Sequence, residues 1–217
     1  MKPLLTLVLC TSGFSQVCGN FDLSGAYGFQ LSGNTTIAGV SKPMASIGRL
    51  DFGADGKISG TSSVNFGGLF LGNPVTGTYS ATGANCSLTF DLQDDSGGWQ
   101  HFSGTLAPGG AHGQFHQTDP GTGGRGQLVR VPASCGAGSL VGRYTVTIDG
   151  HKTVTAADGH GAFSGGSNSG TYDVGSDCFV EINFGGKFRG IVVNEGRAVF
   201  AVQADPGKVV TATFTAQ

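Results

Sequence analysis

The chain has 217 residues, 40 of them glycine, with 12% charged side chains and a formal net charge of −2. So little positive charge leaves nucleic-acid binding without its main source of affinity, and the lack of a Gly-x-y period excludes a collagen-like chain. Its 15 phenylalanines and 38% hydrophobic content argue against disorder, because such a chain can bury a core.

The N-terminus reads as an export signal. Lys2 supplies a positive end, residues 4–10 an apolar run, and Gly13 and Ser15 the small side chains that signal cleavage prefers. Residues 1–15 are therefore expected to be a signal peptide, and the protein secreted or periplasmic. Removing them leaves Cys18, Cys86, Cys135 and Cys178. No apolar run approaches the ~20 residues of a membrane-spanning helix.

Beyond the signal, apolar residues recur with period 2. Tyr27, Phe29 and Leu31 alternate with Gly28, Gln30 and Ser32, and Leu88, Phe90 and Leu92 with Thr89 and Asp91. Further on, Tyr144, Val146 and Ile148 alternate with polar neighbours, as do Val180, Ile182 and Phe184. Such segments are strands with one buried and one wet face, hence antiparallel.

The punctuation between the strands occurs twice. Gly77-Thr78-Tyr79 followed by Cys86 returns as Gly170-Thr171-Tyr172 followed by Cys178. A Gly-x-Tyr strand start (Gly25 and Tyr27, Gly142 and Tyr144), an Ala-Asp-Gly turn (54–56, 157–159) and a Gln-x-Asp-Pro-Gly turn (117–121, 203–207) recur in the same order. The chain is a tandem duplication, with modules at 16–131 and 133–217. Insertions at 34–45, 65–74 and 94–99 distinguish the first module. Equivalent modules should close equivalent bridges, which predicts Cys18–Cys86 and Cys135–Cys178.

In the second module the turn signals predict eight short strands: 142–149, 152–157, 161–166, 170–174, 178–184, 187–193, 197–204 and 208–216. Asp158-Gly159 suits a type I′ hairpin. Left open, such a meander exposes two edges, and closure removes them. The predicted fold is all-β: two tandem antiparallel meander modules, each a small, about eight-stranded, closed or shallow up-and-down β-barrel.

With that order of Gly-x-Tyr, Asp-Gly, Gly-Thr-Tyr with Cys, and Asp-Pro-Gly, the chain resembles a group of exported bacterial tandem-module β proteins of unknown function. Its modules are similar in architecture alone to calycin or allene-oxide-cyclase-type barrels, and architecture does not give function.

Chemistry is sparsely signalled. Asp119 and Asp205 each precede Pro-Gly, and Asp55 and Asp158 lie in Asp-Gly turns, where an aspartate bonds its own backbone. Ser63 lacks the surroundings of a nucleophile. His112 and His116 on one strand would stand ~13 Å apart, too far for one metal ion, and His101, His151 and His160 sit among polar or turn residues. No cofactor motif or metal-ligand spacing is present.

One contrast between the modules remains. Superposing Asp119 on Asp205 aligns His112, Gln114, His116 and Thr118 with Ala198, Phe200, Val202 and Ala204. If that face points inward, the first module has a polar-lined interior, and His112, Gln114 and His116 are its ligand-binding residues with Trp99 near an entrance. If Phe115 points inward instead, the strand is rotated by one residue. Phe66, Leu69, Phe70 and Leu71, in the 65–74 insertion, are expected to cover the first barrel's mouth, pack on the second module or meet a protein partner. The expected protein is thus a secreted, disulfide-stabilised tandem barrel that binds a small molecule or surface partner without catalysis. The alternatives are an isomerase- or cyclase-type enzyme using the first interior, and a structural cell-envelope protein.

Overall fold

The computed structural model describes residues 23–82, 85–165 and 169–217. The described chain folds into two closed, eight-stranded antiparallel barrels, each an up-and-down meander. The first comprises β1 (Gly25–Ile37), β2 (Val40–Phe52), β3 (Lys57–Phe66), β4 (Leu69–Thr82), β5 (Ser87–Asp94), β6 (Trp99–Leu106), β7 (His112–Gln117) and β8 (Arg125–Arg130), with β8 paired back to β1. The second comprises β9 (Val141–Ile148), β10 (His151–Asp158), β11 (Ala162–Ser164), β12 (Gly170–Val174), β13 (Phe179–Asn183), β14 (Lys187–Val193), β15 (Ala198–Gln203) and β16 (Thr211–Ala216), closed by β16 on β9.

The repeated motifs are the fastenings of these barrels. All four tyrosines reach from a strand to a carbonyl in a connection. Tyr27 donates to the Gly110 carbonyl, and its counterpart Tyr144 donates to the Gly196 carbonyl at 2.7 Å. Tyr79 donates to Gly53 O at 2.6 Å and Tyr172 to Leu140 O at 3.0 Å. The Gln-x-Asp turn is a second fastening. Asp119 accepts from the His101 N–H and the Gln117 amide, and Asp205 accepts from the Lys187 N–H and the Gln203 amide. Both aspartates serve their turns, but by bonding the neighbouring strand and a Gln side chain rather than their own backbone as expected.

Inward-facing rings fill each barrel. In the first, Phe90 stacks on Phe102 and meets Phe115 edge to face. Such rings fit a narrow interior because glycine faces them: a Cβ at Gly48 would come within 2.4 Å of the Phe29 ring, and one at Gly126 within 2.4 Å of Phe115. Phe163, Phe184 and Phe214 form the matching cluster in the second barrel.

Two insertions continue strands rather than forming loops. Segment 34–45 lengthens β1 and β2 around an Ala38-Gly39 turn, and 65–74 extends β3 and β4 around Gly67-Gly68. The apolar insertion 65–74 is therefore a hairpin. Phe66 packs on the first core and Phe70 on the second, while Leu69 and Leu71 remain 60% and 42% exposed. The predicted turn at Asp158-Gly159 also needs correction. There β10 and β11 are joined by three residues, 159–161, with Asp158 Oδ1 accepting the His160 and Ala162 N–H groups. The two-residue Asp-Gly turn with both φ positive is Asp149-Gly150.

The barrels meet through their outer walls. In β14 and β15, Val192, Val199 and Ala201 face the interior, so Ile191, Val193, Phe200 and Val202 face outward, yet all four are at most 3% exposed. They share one apolar cluster with Ala45 and Ile47 of β2. Gly28 on β1 allows the approach, since a Cβ there would lie 2.4 Å from Val193. Polar groups pin the register: Gln30 donates to Ala201 O and Ala212 O, and Asn65 to Gln203 O and Lys208 O. Cys135 and Cys178 are disulfide-bonded as predicted. Cys86 is also disulfide-bonded, and Cys18, its predicted partner, lies outside the described residues.

The same module position should therefore behave oppositely in the two barrels. Phe200→Ala is expected to cost about 3–5 kcal/mol in urea unfolding. Gln114→Ala, its exposed counterpart, should stay within about 0.5 kcal/mol. Equal costs would contradict the assigned faces.

Candidate functional site

The sequence points first to β7, and the structure turns that strand around. Gly113 and Phe115 face inward, whereas His112, Gln114 and His116 are exposed on the outer wall. Phe115 is drawn in by Phe90 and Phe102, whose rings it meets at 5.2 and 5.5 Å. The expected lining of the first interior by His112, Gln114 and His116 is thus overturned. The alignment with Ala198, Phe200 and Val202 stands, but it compares two outer walls, one covered by a neighbouring barrel and one wet.

The first interior does contain a polar pair, from other residues. Ser46 and Ser62 are buried with their hydroxyls 2.9 Å apart, in a cavity of about 30 Å³ bounded by Phe29, Leu50, Phe90 and Phe102. Space of that order holds one or two waters, far short of the ~300 Å³ at which small-molecule sites begin.

A larger concavity lies outside. A groove of about 610 Å³ runs along the outer wall of β2, β3 and β4, with Asp51, Lys57, Ser59, Thr76, Thr78 and Trp99 along it. Pairing places Asp51 beside Ser59, Ser59 beside Thr76, Thr76 beside Gln93 and Gln93 beside Trp99. These five residues therefore form one continuous row across the sheet. A second row runs from Lys57 through Thr78 and Asp91 to His101. Neighbouring members of a row are about 4.8 Å apart.

Trp99, 52% exposed, stands at the end of the first row, and the turn before it is held firmly. Asp94 Oδ1 accepts from Ser96 N, Ser96 Oγ and Gly98 N, and Gln93 Nε2 donates to Gly97 O. Gly97 supplies the left-handed conformation the turn needs, at φ 86°. Insertion 94–99 is thus a built support for one aromatic ring. The expected placement of Trp99 at an entrance to the interior is replaced by a place on the outer wall.

The groove's charges are compensated. Asp51 pairs with Arg49 at 3.1 Å and Lys57 with Asp55 at 3.7 Å. Beside Trp99, His101 Nδ1 lies 2.6 Å from Asp119 Oδ1. That bond raises the His101 pKa above the ordinary histidine value. Burial works against the Asp119 charge, but bonds from the His101 backbone and ring and from Gln117 outweigh it and hold the carboxyl below its usual range. Among the described residues, no group of three or more His, Cys, Asp or Glu side chains could hold a metal ion, and no helix is long and apolar enough to cross a membrane.

No protein-family model matches the chain, and no curated protein matches it significantly.

The His101–Asp119 bond has a pH signature. A raised histidine pKa contributes stability below the unfolded value near 6.5, lost as pH rises through the folded value. A lowered aspartate pKa contributes above about 3.9, lost as pH falls through the folded value. The pair should contribute most between about pH 4 and 6.5. In an NMR titration His101 should titrate above the ordinary histidine value, and Asp119→Asn should bring it down. A His101 ring that titrates alike in the parent and in Asp119→Asn would contradict the bond.

Proposed function

We propose that this is an exported, non-catalytic binding protein whose ligand surface is the outer groove of the first barrel, rather than either barrel interior. The position of Trp99 carries the proposal. The single tryptophan of the chain is half exposed, mounted on a turn tied by its own hydrogen bonds, and set against a concavity of ligand-site size. Binding surfaces are enriched in such rigid aromatic anchors, which give large contact area at low entropic cost. The second barrel has a counterpart neither to the ring nor to insertion 94–99, which supports a division of labour in which it serves as a scaffold.

Export is supported by the disulfide Cys135–Cys178, since such bridges persist in oxidising compartments, and by the signal-like residues 1–15. Against the enzyme alternative stands the duplication itself. Asp119 makes the same strand-to-turn bonds as Asp205, where Lys187 occupies the position of His101. The bonds of Asp119 to the His101 backbone and to Gln117 are thus accounted for by holding a turn, and the His101 ring adds a bond that the second barrel lacks.

A fragment screen by NMR tests the site without knowledge of the ligand. A library of small polar and aromatic compounds added to the full chain should shift the Trp99 indole N–H and the amides of Ser59, Thr76 and Thr78 together. Shifts confined to residues around the interior cavity, such as Phe29, Leu50 and Phe102, would contradict the proposal.

A further inference from the structure

We infer that the Trp99 groove binds a neutral carbohydrate chain, with one sugar ring stacked on the indole and its neighbours bonded along the two polar rows. This inference rests on the groove being the binding surface and adds the class of ligand.

The chemistry of the wall selects for it. A pyranose has an apolar face of C–H bonds and a rim of hydroxyls that both donate and accept. A half-exposed indole presents a flat, electron-rich surface for the first. Exposed serine and threonine hydroxyls and amides satisfy the second, because each can donate and accept. Ser59, Thr76, Thr78 and Gln93 supply such groups, and Asp51 adds a carboxylate acceptor.

Other ligand classes fit less well. Lys57, the cation in the groove, is already paired with Asp55, and Asp51 with Arg49, so a phosphate-rich ligand finds no uncompensated positive charge. An extended peptide would seek an open strand edge, and the strands that wall this groove are paired on both sides along it. A compact apolar molecule would seek an enclosed pocket, whereas this groove is open to solvent and carries the hydroxyls of Ser59, Thr76 and Thr78 beside its apolar surface. Within each polar row the side chains follow at the ~4.8 Å strand separation, close to the length of one sugar residue, which suits a linear chain lying across the strands.

The test uses the full chain with soluble cello-, xylo-, manno-, malto- and N-acetylchito-oligosaccharides, followed by calorimetry and by amide and indole NMR spectra. At least one should bind and shift the Trp99 indole together with Ser59, Thr76 and Thr78. Trp99→Ala should weaken that binding about tenfold or more while leaving the amide spectrum of the second barrel unchanged, and Trp99→Tyr should restore most of it. If no oligosaccharide shifts these resonances although library fragments do, the carbohydrate assignment falls and the groove stands. If an oligosaccharide binds but shifts residues elsewhere, or binds Trp99→Ala unchanged, both fall.

Discussion

Closing eight strands into a barrel removes every free edge but leaves an interior about wide enough for its own side chains. The remaining features of this protein follow from that constraint. With stacked rings facing glycines in the first barrel and Phe163, Phe184 and Phe214 in the second, little space is left inside. The interior cavity beside Ser46 and Ser62 is water-sized. What the molecule offers to anything else it must offer on its outer walls. The repeated tyrosines and the Gln-x-Asp turns secure closure at the ends of strands, and so leave the outer face of each sheet free to vary.

Duplication then gave the two outer walls different work. Ile191, Val193, Phe200 and Val202 cover the outside of β14 and β15 with apolar surface, each worth roughly 1.5–3 kcal/mol when buried, and β1 and β2 of the first barrel bury it. The contact is head to tail, joining different faces of two similar units. Such interfaces propagate unless something stops them. Here the corresponding wall of the first barrel carries Ser103, Thr105, Gln114 and His116, too polar to receive another barrel. The histidines and glutamine that look like a lost core lie on this exposed outer wall.

The sequence discloses much of this and conceals one step. Period-2 alternation, turn spacing and repetition suffice for two eight-stranded meanders and for the Cys135–Cys178 bridge, because local pattern and global topology agree. The face of β7 is harder. Period 2 says which residues share a face but not which face is inside. In β15 both faces are apolar, Val199 and Ala201 toward the core and Phe200 and Val202 toward the other barrel. An interface therefore passes for a core when one chain is read alone. Phe115, the large apolar residue between His112 and His116, carries the local signal that resolves the orientation. Trp99 is legible as an oddity but not as a groove wall, since its neighbours Thr76 and Ser59 join it only through cross-strand pairing. Turns mislead for a similar reason. Asp149-Gly150 and Asp158-Gly159 read alike, and only strand register makes the first a tight hairpin and the second part of a longer connection.

The contrast between the modules lies on outer walls, buried in the second barrel and open in the first. Carbene footprinting of the full chain in solution, resolved to residues by mass spectrometry, measures this directly. Trp99, His112 and His116 should label strongly, while Ile191, Val193, Phe200 and Val202 should remain protected until the protein unfolds. Protection of Trp99 and the two histidines with labelling of Phe200 and Val202 would reverse the assignment of faces and contradict the account.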